Sequence, residues 1–148
     1  MSEQTLSAVL RLLQVFAALE NRFSANLGSV HGLALNDVLL LMNLDRAPLG
    51  RMRRVDLAAA LAMSQSSVTR MTAPLEKIGL VSRDTDPRDA RVVYVVLTET
   101  GRERVRESVA TLDHLSEGVF VDRWSPKEVA TLADLLGRLS SPLPGYLR

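Results

Sequence analysis

Apolar and polar positions along the chain divide it into six helical stretches and one hairpin. Over residues 5–27, apolar side chains fall at Leu6, Val9, Leu10, Leu13, Phe16, Ala17 and Phe23, a helical spacing, and Gly28 supplies the stop. Residues 35–46 (LNDVLLLMNLDR) predict a second helix ending before Pro48, and its run of leucines implies burial on more than one side. A short strand over 52–55 leads into a short helix over 56–61 (DLAAAL), whose alanines suit close packing. Ala62-Met63 makes a turn, and Ser64 caps the next helix, whose first turn is Gln65-Ser66-Ser67. That helix is expected to bury Val68, Met71, Leu75 and Ile78 and to stop at Gly79. Pro74 lacks an N–H and crowds the carbonyl of Arg70, so a kink is expected beyond the first two turns.

The spacing then changes period. Residues 81–83 and 91–97 (RVVYVVL) predict two strands, the second rich in β-branched side chains. Between them, Asp86-Pro87-Arg88-Asp89 has the chemistry of a type I turn, with Asp first and Pro, its φ preset, second. Thr98 caps a long helix over about 99–122, with apolar positions at Val105, Val109, Leu112, Leu115, Val119 and Phe120. Ser125-Pro126-Lys127-Glu128 reads as a capping box with Pro at the first helical position. The final helix sets Val129, Leu132, Leu136 and Leu139 on one stripe, and a Pro-rich tail (SPLPGYLR) closes the chain at 141–148. The fold class expected is mainly α with a small β-hairpin.

Composition changes this picture chiefly by exclusion. The 148 residues fit one subunit, and the apolar and charged fractions are those of a globular protein. There is no cysteine, which excludes disulfides, thiol redox sensing and thiolate metal sites, and His31 and His114 alone make no structural zinc site. No basic leader precedes an apolar run and no run is long enough to span a bilayer, so a cytoplasmic protein with no membrane association is expected. The net charge of +1 hides an asymmetry: residues 51–91 carry eight basic and five acidic side chains, the remainder ten and twelve. The basic excess lies where the hairpin and the preceding two short helices lie.

Those two helices, over 55–81, have the form of a helix-turn-helix, in which the second helix enters a DNA major groove. With the apolar stripe inward, the outward face carries Gln65, Ser66, Thr69, Arg70 and Ala73. Arginine can fork onto guanine, glutamine onto adenine, and hydroxyls can reach bases or backbone. An exposed hairpin tip with two arginines and two aspartates suits an anionic groove, because a neighbouring carboxylate can hold a guanidinium in position. The hairpin's place directly after the helix-turn-helix makes it a DNA-binding wing.

At this point the chain resembles the MarR (multiple antibiotic resistance regulator) family of winged-helix transcription factors over nearly its whole length. The most specific stretch is 64–101, SQSSVTRMTAPLEKIGLVSRDTDPRDARVVYVVLTETG. It contains the LEKxGLV exit from the recognition helix at 75–81, a D-x-R wing at Asp86 and Arg88, and Leu97-Thr98 with Gly101 leading into the next helix. The resemblance implies a single subunit over 1–148, with a winged helix-turn-helix at 35–98 flanked by N- and C-terminal dimerisation helices at 1–30 and 99–148. It implies a homodimer on double-stranded DNA, with recognition helices in successive major grooves and wing arginines in flanking minor grooves. Arg88 then corresponds to the wing-tip arginine and Asp86 to the carboxylate that holds it.

The resulting site places Gln65, Ser66, Ser67, Thr69 and Arg70 at the major groove, Asp86, Arg88 and Arg91 on the wing, and Arg53, Arg54 and Ser64 at the backbone. The sequence departs from the family at Arg53-Arg54-Val55, where many relatives cap the short helix with Ser or Thr. Without cysteine the peroxide-sensing branch is excluded, leaving a small-molecule effector or none. Asp86, Asp89 and Glu99 lie beside arginines on an exposed turn, the wrong setting for a catalytic acid, and no nucleophile–base pattern appears. No enzyme activity, metal or cofactor is expected. His31 and His114 read as exposed or hydrogen-bonded histidines, and Trp124 as a packing anchor at the elbow between the last two helices.

Overall fold

The computed structural model describes residues 2–140, so the Pro-rich tail at 141–148 lies outside the described residues. The chain forms helices α1 (Glu3–His31) and α2 (Leu35–Arg46), strand β1 (Arg51–Arg53) and helices α3 (Arg54–Ala60) and α4 (Gln65–Lys77). Strands β2 (Val81–Asp86) and β3 (Asp89–Leu97) follow, then helices α5 (Glu99–Phe120) and α6 (Pro126–Ser140). The described residues fall into two compact units divided within α5, between Leu112 and Asp113.

In the first unit, α2 is the hub. Val38, Leu40, Leu41 and Leu44 are fully buried, so the helix is covered on several sides, as its unbroken leucines imply. Around it gather Leu27 of α1, Leu57 and Ala58 of α3, Val68 and Leu75 of α4, and Val81, Val95 and Leu97 of the sheet. Each fully buried leucine contributes roughly 1.5–3 kcal/mol relative to exposure. The sheet is antiparallel in the order β1-β3-β2, which places β3 between both partners. Ion pairing adds a tie between helices, with Arg102 Nη1 of α5 donating to Asp45 Oδ1 of α2 at 2.6 Å. In the second unit, Glu128 accepts from the Ser125 N–H at 2.8 Å while Ser125 Oγ accepts from the Glu128 N–H at 3.2 Å. This is the reciprocal cap that starts α6. Trp124 meets Phe120 edge-on at 5.8 Å but stays 45% exposed, so it anchors the elbow with only part of its surface.

Several boundaries depart from the sequence expectation. Helix α1 runs through Gly28 and ends a turn later, where Gly32 adopts the left-handed conformation (φ 68°). There the Gly32 N–H bonds the Gly28 carbonyl and the Leu33 N–H the Leu27 carbonyl, the paired closure that a glycine beyond the last turn permits. Strand β1 begins at Arg51, and Val55 belongs to α3. Helix α4 continues through Pro74 to Lys77, and Ile78, expected inside, is 58% exposed at the cap. Thr72 is buried in its stead, on the same stripe as Val68 and Leu75. Leaving the helix at residue 78 breaks the 3.6-residue period that would have turned Ile78 inward.

Candidate nucleic-acid interface

Three turns of α4 carry the exposed polar face. Ser64 begins it as a true N-cap, its Oγ accepting the Ser67 N–H at 3.1 Å. Because Val68, Thr72 and Leu75 are buried, helical geometry turns Gln65, Ser66, Thr69, Arg70 and Ala73 outward, and all five are exposed. Ser67 differs from the other residues predicted for this face. It is half-buried, and its Oγ receives the Ser64 hydroxyl at 3.0 Å and Arg70 Nη2 at 3.2 Å. Ser67 Oγ is thus an acceptor that braces Arg70. Thr69 Oγ1 donates to the Gln65 carbonyl at 3.0 Å.

The wing turns through the two residues Pro87 and Arg88, as the turn chemistry predicts. The division of labour among its charges is not the predicted one. Asp86 Oδ1 accepts the backbone N–H of Arg88 at 2.7 Å, an Asx-type closure of the turn, and holds no guanidinium among the described residues. The carboxylate that does hold one is Asp89. Its Oδ1 receives Arg91 Nε at 3.0 Å, its Oδ2 receives Arg91 Nη2 at 3.3 Å, and the Arg91 N–H bonds Oδ1 at 3.0 Å. The Arg91 guanidinium, and next its backbone N–H, hold the Asp89 carboxyl below the usual carboxylate range. Asp89-Ala90-Arg91 is thus a second D-x-R with the geometry assigned to the first. The pairing of β2 with β3 explains the switch. It runs in register from Val81↔Leu97 to Thr85↔Val93, then jumps to Asp86↔Asp89. The irregularity leaves 90–92 bulged on β3, which brings Arg91 back against Asp89.

Sequence reasoning missed the outer face of the sheet. Tyr94 sits at its centre, with the Arg51 guanidinium stacked 4.3 Å above the ring. Arg53 lies opposite Tyr94 in the pairing of β1 with β3, and the Tyr94 side chain beside it raises its pKa further. Arg51 also pairs with Asp84 at 3.5 Å, and Arg83 with Glu76 of α4 at 3.0 Å, which ties the wing's first strand to the helix beside it. The period-2 alternation of β3 could have put Tyr94 on that face; its two arginine partners come from β1, which no local signal links to β3. Arg53 is exposed and Arg54 half-buried at the start of α3, and Ser64 is committed to its cap.

His31, outside this surface, is hydrogen-bonded through Nε2 to Thr111 Oγ1 at 2.7 Å, and its carbonyl receives Arg104 at 2.8 Å. His114 is exposed.

A short helix, a turn, a second helix with an exposed polar face and a two-stranded basic hairpin together define a winged helix-turn-helix. Residues 33–93 match the model of the MarR family, and the described residues have the winged-helix fold. Among proteins of known sequence, it is 33% identical over 84 residues to the HTH-type transcriptional regulator YdgJ of Bacillus subtilis, covering 57% of this chain and 51% of that one. The chain thus spans about half the length of such relatives. Among solved structures, AbsC, a MarR family transcriptional regulator from Streptomyces coelicolor, aligns with a TM-score of 0.80 at 28% identity, over 94% of this chain and 93% of that one. Sco3205, another MarR family transcriptional regulator from Streptomyces coelicolor, solved in complex with DNA, aligns with a TM-score of 0.83 over 94% and 87%. Its 23% identity speaks for the fold alone. Each of these relatives is named as a transcriptional regulator.

Proposed function

We propose that this chain is a sequence-specific DNA-binding transcriptional regulator of the cytoplasm, acting as a homodimeric repressor on a pseudo-palindromic operator. The observation that carries the reading is the exposed face of α4, with Gln65, Ser66, Thr69 and Arg70 outward beside a wing whose Arg88 stands at the tip. Gln65, Ser66, Thr69 and Arg70 read base edges, with Ser67 bracing Arg70. Arg88 enters the minor groove, Asp86 shapes its turn, and Arg91, Arg53 and Arg54 meet phosphates, with Ser64 capping the helix that docks. The relatives' names as transcriptional regulators support the same reading.

Within this proposal, residues 35–98 form the reading unit and the regions 1–30 and 99–148, the last eight residues of which lie outside the described ones, form the dimer. Leu6, Val9, Leu10, Leu13 and Phe16 of α1 are each about half exposed or more in the single chain, a stripe too apolar to be left in water. A small-molecule effector releases the repressor by changing the spacing of the two reading units. A typical coupling of roughly 1–3 kcal/mol changes operator affinity 5- to 150-fold.

The test is selection of bound fragments from the source genome at about physiological salt, against scrambled duplex. Enrichment of a pseudo-palindrome is expected. Binding without enrichment would mark an architectural protein, and binding to no duplex would leave a protein-interaction module.

A further inference from the structure

A cavity of about 160 Å³ lies where the start of α3, the first residue of α4 and the base of the wing come together, and its polar wall is Arg53, Arg54, Gln65 and Arg91. Three arginines around so small a space concentrate positive charge that a shared anion would offset. Arg91 is held by both oxygens of Asp89, and Arg53 lies opposite Tyr94 in the pairing of β1 with β3. The third, Arg54, keeps its Nε out of solvent with no hydrogen-bond partner among the described residues. A buried donor left unbonded is costly, and this one belongs to a permanent cation. Asp89 neutralises Arg91, but among the described residues no carboxylate is paired with Arg54. Asp89 is taken up by Arg91, and Asp56 and Asp86 act on Arg53 only at a distance. The rest of the wall is valine, which lowers the local dielectric and strengthens attraction for an anion.

We propose that this cavity is a phosphate site, filled either by a backbone phosphate of bound DNA or by the phosphate of a free small molecule, the two competing for it. A tetrahedral anion offers oxygens in three directions to three guanidinium groups, whereas a carboxylate offers two in one plane. Gln65 adds an amide donor at the mouth, so the same occupant bridges the recognition helix to the wing. The competition half of the proposal rests on the DNA-binding reading; the phosphate site does not.

The experiment uses the full chain and inorganic phosphate at millimolar concentration, against sodium chloride of equal ionic strength. Thermal melting is read without DNA, and displacement is read with a fragment recovered in the genomic selection. Phosphate is expected to raise the melting temperature of the native chain by a few degrees. That rise should vanish in Arg54→Gln, and in Gln65→Glu, an exposed position that folds even if the first variant does not. Phosphate should also displace the fragment from the native chain more than chloride does. An equal rise in the native chain and in Gln65→Glu would be the general salting effect of phosphate and would overturn the site. Binding of the fragment with no phosphate-dependent rise would overturn it too, while leaving the DNA-binding reading intact. A rise abolished by Gln65→Glu in a chain that binds no DNA would keep the site and sink the regulator. Phosphate that stabilises the chain without displacing DNA would overturn the competition.

Discussion

Two glycine-to-alanine substitutions in helices should have opposite signs, and the reason lies wholly in packing. Gly101 is the third residue of α5, where its N–H is received by Thr98 Oγ1 at 3.0 Å. The same Thr98 binds back to the start of β2, its N–H meeting the Leu80 carbonyl at 3.1 Å and its hydroxyl the Gly79 carbonyl at 2.6 Å. A Cβ added at Gly101 would press directly on that Leu80 carbonyl oxygen and lie 2.7 Å from Leu97 Cδ1. The oxygen cannot swing aside without breaking its bond to Thr98. Alanine would gain about 1 kcal/mol of helix propensity over glycine. Against this stand overpacking of roughly 1–3 kcal/mol and a damaged cap of about 1 kcal/mol, leaving a net loss of about 1–3 kcal/mol. Gly28, inside α1, meets nothing within 4 Å of an added Cβ, so Gly28→Ala should gain about 0.5–1 kcal/mol. Equilibrium urea unfolding followed by circular dichroism, at one protein concentration, should separate the two midpoints by about 1 M. Gly101→Ala as stable as the native chain would refute the close approach of α5 to β2. A destabilised Gly28→Ala would place the end of α1 at Gly28 and refute the Gly32 closure.

Truncating Arg88 or Arg70 to alanine should each cost about 1–3 kcal/mol of binding to the selected fragment, measured by fluorescence anisotropy; no change in either variant would mean that the docking is wrong. Asp89→Asn should release Arg91 and reduce discrimination between specific and scrambled duplex, since a guanidinium no longer held in place can reach the phosphates of any duplex. Asp86→Asn should leave that ratio intact, because its amide oxygen still accepts the Arg88 N–H; an equal effect of both would return the guanidinium-holding role to Asp86. The Glu128 carboxyl is held below the usual range, first by the Ser125 N–H and then by its side chain. A depressed acid contributes stability that is complete above the usual glutamate range and is lost as pH falls through its folded value. The acid limb of the melting temperature should therefore be flatter in Glu128→Gln, and identical limbs would discount the cap.

The first D-x-R and the second are equally readable in the sequence, and their roles are not. Both Asp86 and Asp89 stand two residues before an arginine on the same hairpin. Which one grips a side chain depends on the bulge at 90–92, a property of how β3 pairs with β2. Ser67 shows the same limit at shorter range: its position in the first turn of α4 is plain, but its use as a bracket for Arg70 depends on rotamers. The cavity of Arg53, Arg54 and Arg91 brings together residues from two distant stretches and could not be inferred from spacing.

What the sequence determined by itself was whatever depends on neighbours within a few residues: the helical stripes of α2 and α4, the Ser64 and Ser125 caps, and the two-residue turn at Pro87-Arg88. Local backbone preference and side-chain period decide those before any tertiary contact forms. The tertiary structure decided where α1 stops, that Ile78 faces water, that Gly101 has no room for a methyl group, and which carboxylate holds which arginine. Each of these depends on strand register or on a partner far away in the chain, and contacts of that kind are selected only when the whole core closes around α2.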